Sequence, residues 1–378
     1  MPAPERRRAR LGCGVAAILA HSWRPSPPPL ESRAEGLVAK RAPLLLASGA
    51  GSLAWWRVRR SEFRASPAIL DLQDAYRLDA LQSILHEREI IEALILLRSA
   101  GVDPILVKGW AAARLYPEPG LRPYGDVDLC CRPDQYADAA AALRRVKKPK
   151  YYLNLHRGFA SLDELRWDEL YARSQVVPLG EEKVRILAPE DHLRLLSVHL
   201  LRRGAWRPLW LCDIAVAVET RATDFDWDRC LSGNRRVADW VSCAIGLARR
   251  ALNVPVDDTP VAARAKRLPR WLFRQVMRNW SAPFPHLYPP QSYGGPLIKY
   301  IRARTRLLYA LRKRWPDPIE ATITVRGPLN AWPRLPFQIG HYALKTGEFL
   351  ANFPKLIQIP QAEHPASGGA RESIRDPT

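Results

Sequence analysis

The chain has 378 residues, 47% of them hydrophobic, and carries a formal net charge of +20. At about 150 residues per domain this length allows two or three domains, with a core that needs no disulfide staples. Six cysteines are too sparse for a disulfide scaffold and form no CxxC pair, and no apolar run approaches the ~20 residues of a membrane span, so the sequence points to a reducing, cytoplasmic setting with no membrane span.

The charge is unevenly spread: residues 1–66 carry +8, residues 67–220 carry −1 and residues 221–378 carry +13. The excess at the two ends leaves an anionic partner open, nucleic acid included, but no nucleic-acid-binding motif supports it. Arg6, Arg7, Arg8 and Arg10 ahead of residues 11–20 imitate a signal peptide. Gly12, Cys13 and Gly14 dilute the apolar stretch and no small-x-small cleavage site follows. Residues 1–66 therefore read as a basic, Pro- and Arg-rich, partly disordered arm, disordered over 1–36 and partly packed around Trp55 and Trp56.

Apolar residues recur at helical spacing over 67–100, and Gly101 suits the helix end. Residues 104–107 read as a buried strand, 110–116 as a short helix, 127–131 as a second strand, 133–146 as an Ala-rich helix and 151–156 as a third strand. That order makes a small α/β unit, and residues 67–187 are taken as its domain. From 188 to 290 the pattern is helical, opened by Pro189, Glu190 and Asp191, with helices expected over 192–202, 208–220 and 239–252. Residues 291–378 form a basic, Pro-punctuated extension with a helix expected over 298–315. The fold class is α+β: a small mixed sheet flanked by helices, followed by a mainly helical domain.

The chemistry concentrates in residues 107–129. Asp126 and Asp128 are two apart on a strand and so share one face, where their oxygens can hold one hard cation or two side by side. Gly109 lies at a strand-to-helix turn whose backbone N–H groups can meet a phosphate. Lys108 and Arg122 can add positive charge to the same pocket, although Lys108 can also be a plain strand-end residue and Arg122 can instead pair with Asp126 or Asp128. Asp213 sits in an apolar helical stretch, where a buried acid needs a partner. It either faces the cleft between the two domains or pairs with Arg203 or Arg207. His192 and His199, seven apart, read as structural, and the clustered tryptophans as core.

The run Leu106-Val107-Lys108-Gly109, Leu115-Tyr116, Arg122 and Asp126-Val127-Asp128-Leu129 resembles the uncharacterised bacterial nucleotidyltransferase family with the pattern LKG…LY…R…DIDLLV, within the polymerase-beta-like nucleotidyltransferase superfamily. The likeness continues through residues 187–193, His199 and residues 209–215. It implies a nucleoside triphosphate substrate, a magnesium pair held by Asp126 and Asp128, a triphosphate held by Lys108, Gly109 and Arg122 with Asp213 at the nucleotide cleft, and an acceptor that is a small molecule, sugar, peptide or protein. Two departures accompany it. Trp110 follows the turn glycine where the superfamily has serine, as this family's Lys-Gly pattern leads one to expect. Asn154 stands two before His156 where the family often has an acid, so Asn154 becomes the third candidate metal ligand, with Asp163 or Glu164 as other sources of a carboxylate. An amide oxygen can ligate magnesium but takes no proton at neutral pH. The alternative is a catalytically weak or inactive nucleotide- or partner-binding protein on the same fold, and a basic nucleic-acid-binding protein is the third reading.

Overall fold

The computed structural model describes residues 3–144, 152–159, 165–282 and 315–357. Its sheet contains β1 (Ile105–Val107), β2 (Asp126–Cys131), β3 (Tyr152–Arg157), β4 (Gln175–Leu179) and β5 (Glu182–Ile186), ordered β3-β2-β1-β5-β4. β1 runs antiparallel to β2 and parallel to β5, β2 and β3 are parallel, and β4 and β5 are antiparallel. The three expected strands are present, and the β4–β5 hairpin enlarges the sheet. Its two-residue turn starts at Gly180 with φ +59°, the conformation that matches a two-residue hairpin to the strand twist. Pro178 is tolerated in β4 because that strand lies at the sheet edge.

The helices are α1 (Ala3–Leu19), α2 (Glu35–Ala47), α3 (Gly51–Val58), α4 (Pro67–Ser99), α5 (Gly109–Ala113), α6 (Tyr136–Arg144), α7 (Trp167–Arg173), α8 (Pro189–Arg202), α9 (Pro208–Glu219), α10 (Trp227–Cys230), α11 (Arg235–Leu252), α12 (Ala262–Lys266), α13 (Arg270–Asn279), α14 (Pro318–Thr324) and α15 (Leu335–Ile357). α4, α8, α9 and α14 each begin on a proline, whose missing N–H is no loss at a first helical position. α11 is capped by the Asn234 side chain, which accepts from the Arg236 N–H, and ends on Asn253 in the left-handed conformation. None of the described helices is long and apolar enough to cross a membrane.

Period-two alternation gives the sheet two apolar faces. Leu106, Val127, Leu129, Cys131, Val184 and Ile186 pack on one side with Ile90, Leu94 and Leu97 of α4 and Ala139 of α6. Ile105, Val107 and Cys130 pack on the other with Trp167 and Leu170 of α7 and Leu195 of α8. A third and largest core is helical. α4 reaches into it through Ile69 and Leu72, so this single helix is anchored in both the sheet layer and the helical body.

The expected disordered arm is not what the fold contains. Val15, Ile18 and Leu19 of α1, Val38 and Leu45 of α2 and Leu53 of α3 are buried in the helical core. Gly12 is part of the reason: a Cβ there would collide with the backbone of Met277 in α13, so the glycine lets the two helices approach backbone to backbone. The following turn is tied down too, with Trp23 and Arg24 both donating to Glu219 on α9. The helical body therefore draws on segments from both ends of the chain, including Ile319 and Ile323 of α14. Most of the expected basic helix over 298–315 lies outside the described residues, as do Asp163 and Glu164.

Gly12→Ala is expected to push α1 from α13 and lower stability by about 1–3 kcal/mol, as overpacking does in a filled core. Urea denaturation measures it, and an unchanged midpoint would show that α1 does not depend on this contact.

Candidate active site

The loop between α5 and β2 aims the site. Arg122, at its centre, is 5% exposed and donates from Nε and Nη2 to Asp213 on α9, the closest contact being 2.7 Å. Tyr116 donates its hydroxyl to the same carboxylate at 2.9 Å. Burial works against the Arg122 charge, but Asp213 outweighs it and holds the guanidinium above its ordinary pKa. Burial, and then the Asp213 charge, push the Tyr116 phenol well up, so it stays a donor. Arg122 and Asp213 are thus each other's partner, and neither expected pairing, Arg122 with Asp126 or Asp128, nor Asp213 with Arg203 or Arg207, occurs as an ion pair. A guanidinium bound in this way has little left to offer a triphosphate. Its evident job is to lock the loop onto α9, and removing one partner of a buried pair costs about 3–5 kcal/mol because the other charge is left stranded. Gly120, with φ +82°, completes the lock, since a Cβ there would collide with Ala80 of α4.

Past that loop the chain enters β2 at Asp126. Register pairs Asp128 with Val107 of β1 and with Asn154 of β3. Asp126, Asp128, Asn154 and His156 therefore share one sheet face. Asp126 is exposed and accepts one hydrogen bond, from Asn154 Nδ2 at 3.1 Å. Asp128 is 3% exposed and engaged at both oxygens, Oδ1 by His156 Nε2 at 2.7 Å and Oδ2 by Lys108 Nζ at 2.9 Å. Burial acts to raise its pKa, yet the His156 hydrogen bond and the Lys108 ammonium prevail, and the carboxyl is held below its usual range. It is a carboxylate at neutral pH.

Lys108 is held unusually. Its backbone has φ +55° and ψ −129°, a conformation that favours glycine, and its carbonyl accepts the first hydrogen bond of α5 from Ala112. The sequence suggests that Gly109 takes up the turn, but the positive φ falls on the lysine. Gly109 serves close approach instead: a Cβ there would sit 3.1 Å from the Asp126 carbonyl oxygen and 3.5 Å from the Tyr124 ring. α5 has only five residues, so the turn carries little helix dipole, and an anion there would depend on Lys108 and on backbone access.

Three contributors were not singled out as site residues by the sequence. His156 fixes Asp128, and its only signal was its place two residues after Asn154. His199 on α8 lies within electrostatic reach of Lys108 and Asp128; burial first, and then Lys108, hold it well below the ordinary histidine range, so it is neutral. Its ring meets half-buried Trp210 edge-on, with centroids 4.7 Å apart, and Trp206 lies against Trp210 at 5.3 Å. Trp210 also packs against the helical core, so His199 stands between that core and the polar cluster. Arg207 is the third, packed against the Ser48-Gly49 turn.

The donor set suits a hard divalent cation in part. Two carboxylates on one face are the oxygen ligands magnesium prefers. Asp126 has an oxygen free of hydrogen bonds, while Asp128 would have to exchange Lys108 for the metal. Asn154 donates its amide N–H to Asp126, which leaves Oδ1 as the atom of this side chain able to serve as an oxygen ligand. Among the described residues no three His, Cys, Asp or Glu side chains are gathered as a metal cluster.

Lys108→Gly and Lys108→Ala both remove the ion pair to Asp128, but only glycine relieves the backbone. Lys108→Gly is expected to be the more stable of the two by about 1–2 kcal/mol. Equal thermal midpoints would contradict the strained geometry.

Residues 44–253, more than half of the chain, match the family described as uncharacterised nucleotidyltransferase. No curated protein matches. A crystal structure of an antigenic nucleotidyltransferase-like protein from Paracoccidioides brasiliensis is a remote likeness, at 17% identity and a TM-score of 0.33, covering 48% of this chain and 93% of that one. The family match spans the Lys108-Gly109 turn, the Arg122 loop, both β2 carboxylates and Asp213, which are the elements the fold brings together. With its mixed sheet flanked by helices, the chain belongs to the uncharacterised nucleotidyltransferase family, within the nucleotidyltransferase superfamily.

Proposed function

We propose that the chain transfers a nucleoside monophosphate from a nucleoside triphosphate to an acceptor, with magnesium at Asp126 and Asp128. The observation that carries this reading is the pair of β2 carboxylates on one sheet face, beside a Lys-Gly turn whose glycine lies against the Asp126 backbone. Bound there, magnesium would screen the phosphate oxygens and stabilise charge building on the transferred phosphoryl group. Asp126 and Asp128 hold the cation. His156 fixes the orientation of Asp128, and Asn154 that of Asp126. Lys108 would give up Asp128 when a cation is bound and would then serve the phosphates as a point charge. The base and acceptor would lie on the side of the carboxylates that His199 faces. The acceptor is a small molecule, a sugar, a peptide or a protein.

Two observations favour a second reading, a nucleotide-binding protein without transfer activity: Lys108 already neutralises Asp128, and Asn154 stands where an acid is expected. The readings part in one assay. Wild type and Asp128→Ala are incubated with α-labelled triphosphates, magnesium and cell extract. Transfer is expected in wild type and a loss of at least about 100-fold in the variant, the scale on which a principal electrostatic group acts. Triphosphate binding by calorimetry with no label transferred would establish the second reading, and neither binding nor transfer would overturn both.

A further inference from the structure

Arg207 is the cation of this site that has no assigned task. It is the residue just before α9, and Asp213, five residues beyond the helix start, takes the Arg122 pair. Its Nε donates to the Ser48 carbonyl at 2.9 Å. That is its one hydrogen bond among the described residues, and it makes no ion pair among them. The turn beneath it is shaped to admit it: Gly49 has φ +70°, and a Cβ on Gly49 would collide with Arg207 Nη2. The guanidinium is thereby pinned at Nε within electrostatic reach of Asp126, and Nη1 and Nη2 have no acceptor among the described residues.

Its electrical surroundings are Arg122, Asp213, Asp126 and Asp79. None of these carboxylates forms an ion pair with it among the described residues, although each favours its charge. Asp213 is engaged by Arg122 and Tyr116, Asp79 accepts from Ser52, and Asp126 stays beyond ion-pair distance. Burial, and then the like charge of Arg122, push its pKa down to about 10, so the cation is held where its surroundings disfavour it. A half-buried guanidinium beside another is favoured by the arrival of an anion. The open neighbour is exposed Asp126, which the proposed function assigns to magnesium and phosphate. A planar fork with two free Nη groups suits two phosphate oxygens at once.

We propose that Arg207, pinned by the Ser48 carbonyl and seated on Gly49, binds the pyrophosphate portion of the triphosphate, the task the sequence suggests for Arg122. This rests on the reading that the site takes a nucleoside triphosphate. The helical body would then share in substrate binding through the start of α9, and the 48–50 turn would belong to the site, although it lies about 76 residues before the carboxylate strand. Occupancy would also relieve the unfavourable burial of the charge, so a bound polyphosphate should stabilise the protein.

The test is calorimetry of the full chain with inorganic pyrophosphate and magnesium, with adenosine, guanosine, cytidine and uridine triphosphates, and with the matching monophosphates, on wild type, Arg207→Gln and Arg207→Lys. Thermal unfolding of each protein establishes that it is folded. The expected result is that Arg207→Gln loses at least tenfold in affinity for pyrophosphate and for the preferred triphosphate, while its monophosphate binds as to wild type. Arg207→Lys falls between, because it keeps the charge and loses the fork, and it carries the test should Arg207→Gln fail to fold. Folded variants that bind pyrophosphate as wild type does would overturn the role of Arg207 and leave the nucleotidyltransferase reading standing. Equal losses for monophosphate and pyrophosphate would also overturn it, since they mark a general distortion. Wild type that binds neither triphosphate nor pyrophosphate would overturn this inference together with the reading beneath it.

Discussion

The buried Arg122–Asp213 pair, with Tyr116 on the same carboxylate, is the constraint on which the arrangement of the site depends. It joins a loop of the sheet layer to a helix of the helical body. Ion pairs this deeply buried contribute little net stability, because desolvating both charges offsets most of their attraction. What such a pair supplies here is registration. With the loop fixed on α9, β2 begins at one place relative to the helical body, and Asp126 and Asp128 are held within electrostatic reach of Arg207 and of His199 on α8, respectively.

Around that lock the site is a network of opposite charges in which one carboxylate is satisfied and the other is open. Asp128 is buried and doubly engaged, so it behaves as a fixed part of the framework until something displaces Lys108. Asp126 is exposed and lightly held. A ligand bringing its own cation would change Asp128 most and Asp126 least. Lys108 reaches Asp128 from a backbone conformation that a lysine seldom adopts, and strain of this kind persists where the surrounding structure holds it.

Much of this was legible in the sequence, for local reasons. Spacing alone put Asp126 and Asp128 on one face, helical periodicity gave α4, α8, α9 and α11, and the Leu106–Leu129 motif carried the family. What escaped depended on distance or on a neighbour. Arg122 and Asp213 are 91 residues apart, and nothing local to either names the other. The positive φ fell on Lys108 when the adjacent Gly109 was the residue suited to it. α1 is masked in the sequence by its arginines and by the Pro-rich run after it, and Gly12 counts there only as diluting an apolar stretch, whereas in the fold it meets Met277. Arg207 was weighed only as a partner for Asp213, because the Ser48-Gly49 turn that holds it is remote in sequence.

The central claim is that the two β2 carboxylates receive a divalent cation and that Lys108 gives way to it. The most direct measurement is a crystal structure of the protein grown with manganese and a non-hydrolysable nucleoside triphosphate, with anomalous scattering used to locate the metal. The account predicts a manganese peak at the Asp126 and Asp128 carboxylates, with Lys108 Nζ moved off Asp128 Oδ2. Nucleotide bound with no metal at these carboxylates, and with the Lys108–Asp128 pair intact, would contradict it.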